Sequence, residues 1–429
     1  MQIDRLKQYI NSDDFQSKIA DLYVTNDKKE IEKQKERFLN AINETEKLYG
    51  DGEYVVFSSP GRVEISGNHT DHQNGFVVAA SINLDNVCIA KKTDDNIVDF
   101  FDKNYKKSSV NLSNLKVKDE EKNKTAALLR GVAAKFNESG YKYGGFKSYQ
   151  DANVLVGSGL SSSACIEVLL TEIYNKLYND DKIDSEERAI ISRWVENNYF
   201  GKPCGLMDQM AIAVGSFVGI DFYDPSKPKI IKHDFSFADH GYKLLVVNTK
   251  ADHADLTDEY AAIPNEMRMI AKYFGEEVLS RVDEKNFYDN ISDIRKAVNN
   301  DRAILRAHHF FAENKRAKEL NAAMDKNDID LVLSLMNDSG NSSFMNLQNV
   351  YTNKNPQSQS VSLALAISKK ILEKNGVCRV QGGGFAGTIQ AIVKNEFVEN
   401  YINKMSKVFG EDAVLKAEIR KTGARAVIF

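Results

Sequence analysis

The chain has 429 residues, 42% of them hydrophobic and 28% charged, which is ordinary for a globular protein and long enough for two fused domains. The 57 basic and 61 acidic residues leave a net charge of −4, which argues against a nucleic-acid binder that uses a basic face. No apolar run reaches membrane-spanning length, the N-terminus lacks the layout of a signal peptide, and the four cysteines show no CxxC or zinc-like spacing. We therefore expect a cytoplasmic protein with no nucleic-acid or membrane partner.

The first third of the chain is predicted to begin with helices and to continue as a sheet. Residues 1–50 carry apolar residues at helical spacing and end on Gly50. EYVVFSSPGRVEI (53–65) predicts two short strands around a Ser-Ser-Pro-Gly break, and GFVVAASINLDNVCIAKK (75–92) predicts paired strands. A helix that ends at Gly140 follows.

The rest of the chain predicts a helical half and a second sheet. DSEERAIISRWVENNYFG (184–201) begins with a capping-box pattern and predicts a helix up to Gly201. GSFVGIDFYDP (215–225) and YKLLVVNTK (242–250) are predicted to belong to the second sheet, followed by charged helices up to residue 337. An amphipathic helix and strands at VCRVQGGG, GTIQAIVK and ARAVIF complete the chain. This order predicts two closely packed domains, residues 1–215 and 216–429.

A glycine-serine stretch, VGSGLSSSACIEVLL (156–170), predicts a tight turn that leads into a helix. Gly157, Ser158 and Gly159 let the main chain turn without β-carbons on the glycines, and the three serines 161–163 open the helix. Unpaired N–H groups and the helix dipole at such a start bind anions, and serine hydroxyls add donors for phosphate and ligands for Mg²⁺. A serine-capped helix with no ligand is the alternative. The stretch is neither a P-loop nor a dinucleotide fingerprint, and QGGGFAG (381–387) could supply further N–H groups.

GKPCGLMDQM (201–210) places Asp208 among apolar residues, where a carboxylate needs a cation or several hydrogen bonds. Arg62 is the partner that we predict. Such a pair could simply tie two segments together. Alternatively, an ionised aspartate beside an arginine can orient a hydroxyl, accept its proton and share in holding the developing charge.

Polar residues crowd GRVEISGNHTDHQNG (61–75) beside two strand-like runs. Asp71 can accept hydrogen bonds from two neighbouring hydroxyls, and His69 and Asn68 can each donate or accept. These groups suit a carbohydrate, although an Asx-rich turn is the alternative reading.

Taken together, four stretches resemble the GHMP small-molecule kinases, and within them the galactokinase family. GRVEISGNHTDHQNG is similar to the signature GRVNLIGEHTDYNGG, and GSGLSSSA, GKPCGLMDQ and GGGFAGT resemble the other motifs in the expected order. The resemblance implies an α+β, two-domain GHMP kinase fold with a ribosomal-protein-S5-domain-2-like N-terminal domain, a ferredoxin-like C-terminal domain and an active site between them.

The resemblance also implies an enzyme, an ATP- and Mg²⁺-dependent kinase that phosphorylates the anomeric hydroxyl of a hexose. The expected substrate is D-galactose, and the expected product is the α-sugar 1-phosphate. Asp208 would be the catalytic aspartate and Arg62 its partner. The other implied roles fall into three sets: sugar contacts at Asn68, His69, Asp71, Gly205 and Tyr260; ATP contacts at Gly157, Ser158, Gly159, Leu160, Ser161, Ser162 and Ser163; and Mg²⁺ ligands at Ser163 and Glu196.

Several positions depart from the family pattern. Asn68 stands where the family has glutamate, Glu64 where it has asparagine, and Ala386 and Thr388 replace the Gly and Cys of the last motif. A glutamate at position 68 would repel a substrate carboxylate, by about 4 kcal/mol at 4 Å with an effective dielectric near 20, whereas asparagine would not. Galacturonate is therefore an alternative substrate, and a non-catalytic ATP- and galactose-binding regulator is a second alternative. A monomer is the default expectation.

Overall fold

The computed structural model describes residues 1–104, 107–154, 159–202, 204–250, 256–385 and 387–429. The α-helices in these ranges are Ile3–Ile10 (α1), Asp13–Tyr23 (α2), Lys28–Tyr49 (α3), Thr125–Glu138 (α4), Ser162–Tyr178 (α5), Ser185–Val195 (α6), Met207–Val214 (α7), Thr257–Tyr273 (α8), Glu284–Asp289 (α9), Ile291–Val298 (α10), Asp301–Asp325 (α11), Ile329–Ser342 (α12), Ser360–Leu372 (α13) and Val398–Phe409 (α14). None of these helices is both long enough and apolar enough to cross a bilayer.

The strands in the same ranges are Val55–Ser66 (β1), Phe76–Lys92 (β2), Ile97–Asp102 (β3), Ser108–Asn111 (β4), Phe146–Ala152 (β5), Phe217–Asp221 (β6), Lys229–His233 (β7), Tyr242–Asn248 (β8), Gly376–Val380 (β9), Thr388–Lys394 (β10), Val414–Ala417 (β11) and Arg425–Ile428 (β12). They form two sheets, one ordered β12-β1-β2-β5-β3-β4 with β6 and β7 attached to β2, the other ordered β11-β8-β10-β9.

The N-terminal helices cover one face of the first sheet. Ser12 caps α2 by accepting a hydrogen bond from the N–H of Phe15, and Asp27 caps α3 in the same way. Their apolar faces meet strand residues that point the same way, among them Val56, Val87 and Ile89. Residues 1–50 therefore pack on the first sheet and share a core with it.

The segment 53–65 forms one strand and not the predicted two. β1 pairs antiparallel with β2 from Val55 to Ser66, and its register shifts between Pro60 and Arg62. Proline has no N–H to give to a ladder, so an irregularity at this point accommodates it without ending the strand. The predicted break at Ser-Ser-Pro-Gly is thus an irregularity within one strand, just before Arg62.

The prediction that residues 215–225 belong to the second sheet is wrong. β6 pairs with the first five residues of β2, and β7 extends β6 at the edge. β2 is 17 residues long, and β5 pairs only with its second half, so its first half offers a free edge that β6 fills. The C-terminal β12 also returns to the first sheet, beside β1. The division at residues 215 and 216 stays a prediction.

The second sheet has the ferredoxin-like arrangement. Its strands, numbered along the chain, lie in the order 4-1-3-2 and all pairs are antiparallel. Side chains alternate along β8: Leu245 and Val247 face α13 and α14, while Leu244 and Val246 join a core shared with β1, β2 and α7. The two sheets are therefore packed through a common apolar core, with the polar segments 61–71, 159–163 and 204–209 at its margin.

Candidate functional site

Arg62 on β1 and Asp208 in the first turn of α7 form a bidentate ion pair. Arg62 donates from Nε to Oδ1 of Asp208 over 2.7 Å and from Nη2 to Oδ2 over 2.8 Å. The Arg62 side chain is 5% exposed, whereas that of Asp208 is 31% exposed. The guanidinium is thus held inside the protein, and part of the carboxylate remains accessible to a substrate.

Asp208 is ionised at neutral pH. Burial acts to raise its pKa, but the charge of Arg62 and the hydrogen bonds from Ser161 and Arg62 outweigh burial and hold the pKa below its ordinary value. Ser161 donates from Oγ to the same Oδ2 that Arg62 contacts. Such a carboxylate can orient a hydroxyl, but it is too weak a base to take the proton early in a reaction.

The glycine-serine turn lies beside this pair. The carbonyl of Gly159 accepts a hydrogen bond from Nη1 of Arg62. Ser161 adopts a left-handed conformation with φ of 60°, and α5 begins directly after it. No side chain among the described residues caps this 17-residue helix, so the N–H groups of its first turn are available to an anion.

The other residues predicted for this turn have different positions. Leu160 is fully buried beneath the turn, and its carbonyl accepts a hydrogen bond from the N–H of Arg62 at 3.3 Å. Ser162 is partly exposed in the first turn of α5. Gly157 and Ser158 lie outside the described residues.

Ser163 and Glu196 form a two-oxygen site. Ser163 Oγ donates to Glu196 Oε1 over 3.1 Å, and Oε2 of the same carboxylate accepts from Gln209 Nε2 at 2.7 Å. No cluster of three or more His, Cys, Asp or Glu side chains in the described part of the chain is arranged to hold a metal ion. One hydroxyl and one carboxylate nevertheless fit Mg²⁺, which keeps several waters and is held by one or two carboxylates together with substrate phosphates.

The signature segment brings His69 and Asp71 to the same margin. His69 has φ of 61°, and its Nε2–H donates to the carbonyl of Gly383 at 3.0 Å, which fixes the neutral tautomer. Burial, helped by the neighbouring His72, lowers the pKa of His69 to about 3. Asp71 lies against Gly205, where an added β-carbon would come within 1.7 Å of Asp71 Oδ2. Glycine at 205 therefore leaves room for this carboxylate beside the start of α7.

The side chain of Asn68, which was predicted to contact the sugar, has no free hydrogen-bonding group in the described structure. Its Nδ2 donates to Glu64 Oε1 at 2.7 Å and to the carbonyl of Gly382 at 2.8 Å. Its Oδ1 accepts from Asn349 at 2.6 Å and from Ser343 at 3.2 Å, and the residue is 1% exposed. This structure therefore places Asn68 behind the site and not in the set of groups open to a ligand.

The glycine turn 382–384 packs on His69 and Tyr260, a contact that was not predicted. The Gly384 carbonyl accepts a hydrogen bond from the hydroxyl of Tyr260 at 2.7 Å, and the ring of Tyr260 fills the space beside Gly383. Burial raises the pKa of Tyr260 to about 12, so the phenol stays protonated. The turn therefore lies against Tyr260, His69 and Arg62. Ala386 lies outside the described residues.

The sequence did not reveal four buried polar residues that support the site. Gln381 donates to the carbonyls of Arg62 and Gly159, both at 3.4 Å, and Arg379 binds Glu64 at 3.1 Å. Gln209 and Glu167 complete the group behind Ser163. Gln209 directly follows Asp208, and Glu167 follows Ser163 by one helical turn, which was the available signal.

Known proteins are similar to this chain in sequence and in fold. Residues 127–216 match the family "GHMP kinases N terminal domain", and residues 45–92 match the "Galactokinase galactose-binding signature". The galactokinase of Clostridium tetani is 28% identical over 85% of this chain and 90% of its own length, and that of Fusobacterium nucleatum is 28% identical over 88% and 95%. The crystal structure of Lactococcus lactis galactokinase complexed with galactose superposes with a TM-score of 0.78 at 23% identity, covering 90% of this chain and 98% of that one.

Mevalonate kinase from Methanococcus jannaschii shares the fold more distantly, with a TM-score of 0.60 at 15% identity over 86% of this chain and 99% of its own. The fold is that of these small-molecule kinases, and residues 127–216 are similar to the N-terminal domain of the GHMP kinases. Among the proteins of that fold, the galactokinases are similar to this chain in the signature segment and over most of its length.

Proposed function

We propose that this protein transfers the terminal phosphoryl group of ATP to the anomeric hydroxyl of D-galactose, which yields α-D-galactose 1-phosphate and ADP. The ion pair between Arg62 and Asp208, with Ser161 on the same carboxylate, is the observation that carries the proposal. Through these contacts, β1, the start of α5 and the start of α7 meet at one carboxylate, that of Asp208.

The proposed step uses the groups as they lie. Asp208 accepts the proton of the anomeric hydroxyl late in the step, as the sugar oxygen bonds to the terminal phosphorus and the bond from phosphorus to the ADP oxygen breaks. Arg62 offsets the charge on the attacking oxygen, and the N–H groups at the start of α5 hold phosphate oxygens. Ser163 and Glu196 would hold Mg²⁺, which supplies positive charge against the phosphates when bound.

The sugar contacts remain proposals of the same kind. His69, Asp71, Gly205 and Tyr260 would contact the sugar, whereas Asn68 would act from behind them. Because both N–H groups of Asn68 are engaged, it offers no donor to a substrate carboxylate, which favours galactose over galacturonate. A cytoplasmic location and a monomeric state accompany the proposal as predictions.

Replacing the catalytic carboxylate tests the chemistry. We expect Asp208→Asn to lower kcat by about 10²–10⁴-fold, because the amide keeps the shape of the side chain but takes no proton. The measurement is ADP release in a coupled assay, with nucleotide affinity followed by calorimetry. Asp239→Asn, at an exposed aspartate outside the site, is the control and should behave as the wild type. Full ADP release by Asp208→Asn would contradict the mechanism.

A panel of sugars tests the substrate. We expect galactose to give the highest kcat/KM among galactose, galacturonate and N-acetylgalactosamine. The reason is that position 68 presents no cationic group and no free donor to a substrate carboxylate. Faster turnover of galacturonate would replace galactose in the proposal. Binding of ATP and galactose with no ADP release from any sugar would identify a regulator in place of an enzyme.

A further inference from the structure

A second buried carboxylate lies behind the Ser163–Glu196 pair. Glu167 is on α5, one turn after Ser163, and is fully buried. Its Oε2 accepts a hydrogen bond from Gln209 Nε2 at 3.1 Å, and the same nitrogen donates to Glu196 Oε2 at 2.7 Å. Gln209 therefore holds two carboxylates, from two different segments, with one amide group.

Burial of Glu167 in this arrangement lowers the free energy of unfolding. A buried carboxylate ordinarily has a cationic partner or several hydrogen bonds, because its transfer from water is costly in free energy. Within the described residues Glu167 has no ion-pair partner, and its Oε1 accepts no hydrogen bond. Lys202 lies 3.8 Å from Glu196, and its side chain is 57% exposed. Stability does not explain why a carboxylate occupies this position.

The geometry of Gln209 gives Glu167 a role. A side-chain amide can present either its oxygen or its NH₂ group to a neighbour, and an oxygen facing Glu196 would repel it. Because Oε2 of Glu167 and Oε2 of Glu196 both accept from Gln209 Nε2, the NH₂ group lies between them. Glu167 thus fixes the direction of the Gln209 amide, which fixes Glu196, which in turn accepts the Ser163 hydroxyl.

We propose that Glu167 is a positioning residue for the Mg²⁺·nucleotide site, acting on Glu196 through the amide of Gln209. The inference rests on the proposed function, because it takes the Ser163–Glu196 pair as the metal-binding side of that site. These hydrogen bonds join α5, the π-helical turn at Glu196–Phe200 and α7, and Gln209 is the direct neighbour of Asp208. It therefore links the metal-binding oxygens to the helix that carries the catalytic carboxylate.

The test compares Glu167→Met with Glu167→Gln in the full-length protein, by calorimetric titration of ADP with and without Mg²⁺. The methionine fills the space but accepts no hydrogen bond, so we expect Mg²⁺·ADP affinity to fall about 10-fold or more, as for other residues that orient a metal ligand. Glutamine keeps an acceptor oxygen and should stay within about 3-fold of the wild type. The affinity for ADP without Mg²⁺ and the KM for the sugar should not change.

Two further variants separate positioning from folding. Gln209→Leu removes the link itself and should lose Mg²⁺·ADP affinity as Glu167→Met does, even if one of the two proves unstable. Glu172→Gln, at a buried carboxyl on the same helix that pairs with Arg188, should lower stability but leave Mg²⁺·ADP binding unchanged. Wild-type affinity for Mg²⁺·ADP in both Glu167→Met and Gln209→Leu would overturn the inference alone. A wild-type protein that binds no Mg²⁺·ADP would overturn the proposed function as well.

Discussion

Glu64 and Asn68 contact each other through an amide and a carboxylate that the galactokinase signature carries at the opposite positions. Both residues are 1% exposed, and Glu64 also binds Arg379. Burial raises the pKa of Glu64 to about 7, even though Arg379, Arg62 and the Asn68 amide act to lower it. The chain thus keeps one carboxylate and one amide in this pocket, with their places exchanged, and the substitution at 68 must be interpreted together with the one at 64.

A double-mutant cycle tests this exchange. Asn68→Glu alone places two carboxylates in one buried pocket and removes a donor to Gly382, so we expect a loss of about 3 kcal/mol or more in unfolding free energy. The double variant Glu64→Asn/Asn68→Glu restores one carboxylate and one amide and should recover about 1–3 kcal/mol of that loss. Denaturant unfolding of the wild type, both single variants and the double variant measures the coupling. Purely additive effects would show that the two residues are independent.

At the scale of the elements, α11 holds the signature segment in place through one carboxylate. Glu313 is fully buried and accepts hydrogen bonds from Ser66 Oγ at 3.0 Å and from the N–H of Gly67 at 2.8 Å. Burial acts to raise its pKa, but His309, Arg316, Arg379 and the hydrogen bond from Ser339 outweigh burial and lower the pKa to about 2. The end of β1 is therefore fixed by a group from the helical half of the chain.

This pKa predicts an acid-dependent stability. A carboxyl whose pKa is lower in the folded protein stabilises it above its ordinary pKa near 4.5, and that contribution is lost as the pH falls from about 4.5 to 2. We expect Glu313→Gln to lower the unfolding free energy by about 3 kcal/mol at pH 7 and to make it less dependent on pH in that window. Urea unfolding at pH values from 3 to 7 is the measurement. An unchanged pH dependence in the variant would show that Glu313 does not supply it.

For the whole molecule, the N-terminal helices are tied to the first sheet by a buried ion pair. Arg37 of α3 donates to Asp85 Oδ1 at 2.7 Å and to the Asp85 carbonyl at 3.1 Å, and Asp85 is fully buried on β2. Tyr23 donates to the other carboxylate oxygen at 2.9 Å. Together with the apolar contacts of α1 to α3, this pair makes residues 1–50 a structural part of the protein.

Removing the arginine tests that conclusion. We expect Arg37→Met to lower the unfolding free energy by about 3 kcal/mol, because among the described residues Asp85 then keeps only Arg420, at 3.6 Å, as a cationic partner. Lys33→Met on the same helix breaks an exposed ion pair with Glu30 and should change the unfolding free energy by less than about 0.5 kcal/mol. A single cooperative transition that shifts in Arg37→Met alone is the expected result. Separate melting of the N-terminal segment, with the main transition unmoved, would contradict it.

The amino-acid sequence determined the chemistry of the site because its groups are concentrated in short segments. Arg62, Asp208 and the serines 161–163 stand in motifs whose composition follows from what an anion and a hydroxyl require, and the structure places them together. Most helices were predictable for a similar reason, since their caps and apolar periodicity are local signals.

Tertiary packing alone decided which sheet received β6, that Asn68 lies behind the site, and that Glu167 and Glu196 share one amide. Each depends on a contact between segments far apart in the chain, where strand edges and side-chain hydrogen bonds compete for partners. The local sequence does not predict which partner is chosen, because a free strand edge or an unpaired amide exists only after the chain has folded.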